Sequence, residues 1–122
     1  MRQFPPPQHL QFLLDGDPVV TRVTIDSFQV SLLLGNDWTI VAMEKVVWRP
    51  EDGSEQIYNI EWRDAPPVTF HKLLDRTLEA VTADDFTMTL TFEGGCQFEV
   101  FTTVGAYESV LIQNSDGKTM VV

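Results

Sequence analysis

Two stretches of the chain repeat one pattern. Asp26 to Asp37 reads "DSFQVSLLLGND", and Asp84 to Gly95 reads "DDFTMTLTFEGG". Each opens with Asp-x-Phe, runs on with apolar and polar residues in alternation, and closes in a glycine-containing turn. A period of two marks a strand with one face in the core. In the first copy Phe28, Val30, Leu32 and Leu34 share a face, with Gln29 and Ser31 on the other. In the second, Phe86, Met88, Leu90 and Phe92 are expected to face in, with Thr87, Thr89 and Thr91 facing out.

The echo extends beyond these stretches at a constant offset of 58 residues. Asp17 and Asp75, Val23 and Val81, Thr24 and Thr82, Asp26 and Asp84, Phe28 and Phe86, and Leu32 and Leu90 are identical pairs. The ungapped register points to an internal duplication spanning about 17–42 and 75–100. Each copy reads as strand, hairpin, strand, hairpin, strand. The third strands carry Trp38, Ile40 and Ala42 in one copy and Cys96, Phe98 and Val100 in the other. Two copies are too few for a solenoid. The expected fold is mainly β (α+β): two antiparallel three-stranded meanders forming a pseudo-symmetric sandwich or small barrel. With 122 residues, 43% of them hydrophobic, the chain suits one domain, 1–122.

Between the copies lies a stretch, about 44–66, read as an acidic, aromatic insert. Within it "RPEDGSE" suits a loop tip and "IYNIEW" a further strand. After it, "VTFHKLLDRTLEAV" predicts one short helix near 69–75, with Thr69 in the N-cap position. "FPPPQ" at the start is a stiff polyproline-like lead-in whose packing the sequence leaves open. The tail "AYESVLIQNSDGKTMVV" predicts one or two short strands around an Asp116-Gly117 turn.

Chemistry is argued mostly by exclusion. Eight Lys and Arg stand against 18 Asp and Glu, a formal net charge of -10. Such a charge repels nucleic acid and anionic membranes, so neither is expected as a partner. One cysteine allows no intrachain disulfide. "LQFLL" is too short for a signal sequence core or a membrane span, so a cytoplasmic location is expected. Two histidines and one cysteine have no zinc-like spacing, and no metal or cofactor is expected. Cys96, on an inward strand face, reads as a small buried hydrophobe with a raised pKa. The carboxylate pairs Asp15 with Asp17, Glu51 with Asp52 and Asp84 with Asp85 all fall in turns, where Asp caps its own backbone. No nucleophile, base or phosphate loop stands out, so the chain is not expected to be an enzyme.

Surface recognition remains. Trp48, Glu51, Asp52, Glu55, Tyr58 and Trp62 place large aromatics beside acids, a combination that suits the binding of a basic protein. Trp is usually largely buried, so Trp48 and Trp62 also suit the core of extra strands. The runs "VTRVTIDSFQVSLLL", "LLDRTLEAV", "FTMTLTFEGGCQFEV" and "YESVLI" together resemble a group of small, uncharacterised bacterial proteins with two similar β-rich halves. The resemblance implies a possible place among immunity proteins that neutralise polymorphic toxins, and it brings no catalytic residues. The expectation is a non-enzymatic acidic binding protein, plausibly an immunity protein facing a basic toxin. The alternatives are a β-barrel with a small-ligand cavity between the halves, or an accessory domain.

Overall fold

The computed structural model describes residues 3–60, 67–102 and 109–122. The alternating runs form antiparallel strands: β1 (Val20–Ile25), β2 (Val30–Leu34), β3 (Thr39–Ala42), β4 (Lys45–Arg49), β5 (Gln56–Asn59), β6 (Leu78–Ala83), β7 (Thr87–Phe92), β8 (Gln97–Phe101), β9 (Val110–Gln113) and β10 (Thr119–Val121). They make two five-stranded sheets, in the orders β1-β2-β3-β9-β10 and β5-β4-β8-β7-β6. The sheets pack on each other and form no closed barrel.

The pairings repeat with the sequence. Val20 faces Leu34 and Leu32 faces Ile40 in the first sheet. At the same offset, Leu78 faces Phe92 and Leu90 faces Phe98 in the second. Even the irregularity recurs: the register shifts between Val20 and Arg22 and again between Leu78 and Ala80. The two copies meet at their starts, where Val19 and Thr77 form an antiparallel bridge. Val20 N–H donates to Arg76 O at 3.0 Å and Leu78 N–H to Pro18 O at 2.9 Å. These bonds exchange when the copies are exchanged, so a pseudo-two-fold axis runs between them.

Each copy ends by crossing into the other sheet. β3 is followed by β4, which pairs with β8; β8 is followed in turn by β9, which pairs with β3. Val46 faces Val100 as Val110 faces Ala42, and Trp48 faces Phe98 as Ile112 faces Ile40. The β4–β5 and β9–β10 hairpins are therefore counterparts at an offset of 64. Residues 45–59, read from sequence as part of an insert, are half of an exchanged pair of hairpins. Every sheet thus takes three strands from one copy and two from the other.

The helix expected near 69–75 is a single 3-10 turn, Phe70–Leu73. Thr69 does not cap it, because its hydroxyl is engaged elsewhere. The proline lead-in packs: 3-10 turns at Pro7–His9 and Gln11–Leu14 bring Leu10 and Leu13 into the core, and Phe4 is also buried. Phe12 lies against Trp38, with ring centroids 4.5 Å apart.

Between the sheets, Val30, Leu32 and Leu34 meet Met88, Leu90, Phe92 and Phe98 in one buried cluster. Phe70 sits edge-on to Phe98 at 5.4 Å and to Tyr58 at 6.0 Å. Each fully buried Leu or Phe contributes roughly 1.5–3 kcal/mol of transfer free energy. Two residues depart from the inward pattern. Phe28 is 78% exposed and Phe86 36% exposed. Both lie before their strands begin, in turns closed by an aspartate. Asp26 Oδ1 accepts from Phe28 N–H (2.8 Å) and Gln29 N–H (3.0 Å), and Asp84 Oδ1 from Phe86 N–H (3.0 Å) and Thr87 N–H (2.9 Å). The turn bonds, rather than the strand period, set where these rings point.

Candidate functional site

The six residues singled out from sequence separate in the structure. In β4, Trp48 has the parity of Val46, and both face the core; Trp48 is fully buried. Its Nε1–H donates to Thr69 Oγ1 at 3.0 Å. Gln56 completes the node: its Nε2 donates to the same hydroxyl at 2.9 Å, and its Oε1 accepts from Thr69 N–H at 2.7 Å. A buried indole N–H needs such a partner, so Trp48 is a core residue that ties β4 to the 3-10 turn. Tyr58 is half-buried against Phe70. Trp62 lies outside the described residues.

The three acids stay at the surface, in the β4–β5 loop. Asp52 Oδ1 accepts from Ser54 N–H at 2.9 Å and Ser54 Oγ–H at 2.6 Å. Those hydroxyl and backbone bonds hold its carboxyl below the usual aspartate value. Glu55 pairs with Arg49 at 2.8 Å, and Arg49 also reaches Glu99. Glu51 pairs with Arg76, whose Nε donates to Lys72 O at 2.9 Å and whose Nη1 donates to Glu93 O at 3.0 Å. The bond to Glu51 raises the already high pKa of Arg76, ahead of the opposing effect of burial.

A cleft of about 210 Å³ opens here, lined by Trp48, Pro50, Glu51, Asp52, Lys72 and Arg76. Gly94 lies against its Glu51–Arg76 pair. A side chain there would come within 2.7 Å of Glu51 Oε1 and 2.9 Å of Arg76 Nη1. Two cations face two carboxylates, so the cleft is close to charge-balanced. Cys96, which interacts with Arg76, is buried, and burial raises its pKa against the opposing pull of Arg76.

The first copy treats the equivalent end differently. Asn36, the counterpart of Gly94, fills the space with its side chain, and Nδ2 donates to Leu13 O (2.8 Å) and Asp15 O (2.7 Å). Asp37, the counterpart of Gly95, keeps the same left-handed backbone, with φ of 78° against 86°. Its Oδ2 accepts from Ser115 N–H at 3.1 Å and from the Ser115 hydroxyl, tying the β2–β3 turn to the β9–β10 turn. Asp17 lies beside the same turn, since a Cβ on Gly35 would meet Asp17 O at 2.7 Å. Asp15, Asp17, Asp37 and Asp116 are all exposed on this rim. Sequence reasoning saw Asp15 and Asp17 only as turn residues. The repeat offset, which sets Asn36-Asp37 against Gly94-Gly95, was the available signal for the difference.

Across the surface, thirteen of the fifteen described Asp and Glu residues are exposed. Of the six described Lys and Arg residues, Arg49 and Arg76 are paired with acids and Lys45 lies over the Phe101 ring at 4.2 Å. Among the described residues no group of three or more His, Cys, Asp or Glu side chains is placed to hold a metal ion. Among the described residues no helix is long and apolar enough to cross a membrane. Comparison of the chain with protein-family models, with curated proteins and with solved structures gave no match in any of the three.

Proposed function

We propose that the chain is a non-enzymatic acidic binding protein that captures a basic protein partner, in the manner of an immunity protein neutralising a basic bacterial toxin. The observation that carries this reading is the excess of exposed carboxylates over free cations, with four of the carboxylates on the rim of the first sheet. There Asp15, Asp17, Asp37 and Asp116 are exposed, against Lys118 as the described cation of the β9–β10 turn. Exposed like charges of this kind accelerate encounter with an oppositely charged protein and fix its orientation. Glu51, Asp52 and Glu55 add charge at the neighbouring loop. Trp48 contributes no contact surface, because it is buried. The ligand-barrel alternative needs room between the sheets, and that space is filled by Trp48, Phe70, Met88, Leu90, Phe92 and Phe98.

Co-expression with the product of the adjacent gene tests the reading. The expected result is rescue of growth and a complex on a sizing column that weakens steeply with salt. Replacing Asp15, Asp17 and Asp116 together by Asn is expected to weaken that complex at least tenfold. Failure of both rescue and complex formation removes the immunity reading for that pair.

A further inference from the structure

The two ends that the repeat relates are finished differently. At the first, Asn36 fills the space, and the Asp37–Ser115 bonds tie the β2–β3 turn to the β9–β10 turn. At the second, Gly94 and Gly95 stand in those places, and the Glu51–Arg76 pair makes the tie. There the cleft of about 210 Å³ stays open. At the repeat offsets, Ser115, Leu14 and Pro18 stand where Glu51, Lys72 and Arg76 do. The first copy forms the same strands without either cation, so the scaffold does not require them.

Arg76 is fixed in the cleft wall. Its Nε donates to Lys72 O, and its Nη1 donates to Glu93 O and to Glu51. Those bonds use two of the three guanidinium nitrogens and leave Nη2, with its two N–H groups, for a further acceptor. Asp52 spends Oδ1 on both Ser54 bonds and keeps Oδ2. After those bonds, the Lys72 ammonium also helps to hold the Asp52 carboxyl low, so the two charges feel each other. Trp48 is fully buried, so Pro50 is the apolar group that the lining presents. A lone anion entering here meets two cations and also two carboxylates, and a lone cation meets the same mixture. A molecule carrying both charges a few bonds apart can set each against its opposite. The volume is below the roughly 300–1,000 Å³ of sites for larger ligands, so that molecule is small.

We propose that this cleft binds a small zwitterion of the α-amino acid class. Its carboxylate accepts from Arg76 Nη2 and Lys72 Nζ, its ammonium donates to Asp52 Oδ2 and Glu51, and its side chain lies against Pro50. Charge-assisted bonds at both ends orient the ligand. The backbone carbonyls of Lys72 and Glu93 already hold the guanidinium, so little side-chain freedom is lost there on binding. This inference stands apart from the acidic-rim reading, since it concerns the end of the other copy and a small molecule rather than a protein.

The test titrates the intact, isotope-labelled chain with L-alanine and L-leucine and follows the Lys72 and Arg76 amide resonances by NMR. Saturable shifts are expected. N-acetyl-L-alanine, which lacks the ammonium, and L-alanine amide, which lacks the carboxylate, are each expected to bind at least tenfold more weakly than L-alanine. Lys72→Gln and Asp52→Asn are each expected to weaken L-alanine by a similar factor. Both residues are exposed, so the core is left intact, and circular dichroism checks this. No saturable shift with either amino acid at about 100 mM, where a site of millimolar affinity is filled, overturns the proposal. Equal binding of N-acetyl-L-alanine also overturns it, because the site then takes any carboxylate. So does unchanged binding in both variants, which puts the amino acid elsewhere on the chain. Joint replacement of Asp15, Asp17 and Asp116 is expected to leave these shifts unchanged, which separates this result from failure of the rim.

Discussion

Val19 and Thr77 lie 58 residues apart and pair with each other across an antiparallel bridge. The same number separates every matched position in β1 to β3 and β6 to β8. Each residue is therefore bonded to its own counterpart, and the axis that relates the copies passes between them. Around it Gly35 N–H donates to Val19 O (2.8 Å) and Glu93 N–H to Thr77 O (2.9 Å), again a matched pair.

Because each copy completes its sheet with a hairpin from the other, neither half is expected to fold as a monomer. Cutting the chain between Ile60 and Pro67 is expected to yield two fragments without stable β structure. Mixing them is expected to restore it, with a melting temperature that rises with concentration. Circular dichroism of the separate and mixed fragments checks this; a fully folded monomeric fragment would contradict the exchange.

Asp26→Ala and Asp84→Ala each remove two side-chain hydrogen bonds from a tight turn. Each is expected to cost about 1 kcal/mol. The turns lie in different sheets and share no partner, so the double variant is expected to cost about the sum, within roughly 0.5 kcal/mol. Urea midpoints measure this, and Asn at either position is expected to restore most of the loss.

Trp48→Phe leaves Thr69 Oγ1 without the indole donor and opens a small void. A loss of about 2 kcal/mol or more is expected. The same variant is expected to bind the basic partner with unchanged affinity once folded. A large drop in affinity at full folding would return Trp48 to the interface.

The depressed pKa of Asp52 fixes the sign of one pH effect. Its carboxylate favours the folded loop at pH above the ordinary aspartate value, and that support is lost as pH falls through the lower folded value. Carbon-detected NMR titration is expected to show Asp52 titrating below ordinary aspartates, and Ser54→Ala to move it back up. An unmoved value in Ser54→Ala would contradict the assignment to the Ser54 bonds.

Cys96 is buried and its thiol is held protonated by that burial. It is expected to resist iodoacetamide at pH 8 in the native chain and to react fully in 6 M guanidinium. Rapid native labelling would show that the structure around Cys96 opens.

The strand architecture was legible because the two apolar faces of its one core obey a strict alternation: Val30, Leu32, Leu34 and Met88, Leu90, Phe92. The period failed one step upstream, at Phe28 and Phe86, where aspartate bonds to the turn backbone override it. The hairpin exchange was hidden for a simple reason. From Ala42 to Val46 the chain advances four residues, and from Val100 to Val110 it advances ten, so the offset changes from 58 to 64 and the echo breaks. The β4–β5 hairpin then looked like an insert, and its tryptophan suited either a surface or the core of an extra strand. Parity alone, Val46 with Trp48, would have placed that tryptophan inside. The acidic rim and the charge-balanced cleft were out of reach of sequence, because they arise from turns brought together by pairings across both sheets.

The exchange of hairpins has a consequence for how such a chain could arise and change. Two identical half-length chains, each lending its last hairpin to the other, would enclose the same core as a symmetric dimer, and their assembly would depend on how much of each was present. Joining them in one chain removes that dependence, since each half always has its partner at a high effective concentration. It also frees the halves from having to match. One end can then carry Arg76 and Lys72 over a glycine while the other carries an asparagine plug and a row of aspartates, a division of labour that two identical subunits could not express.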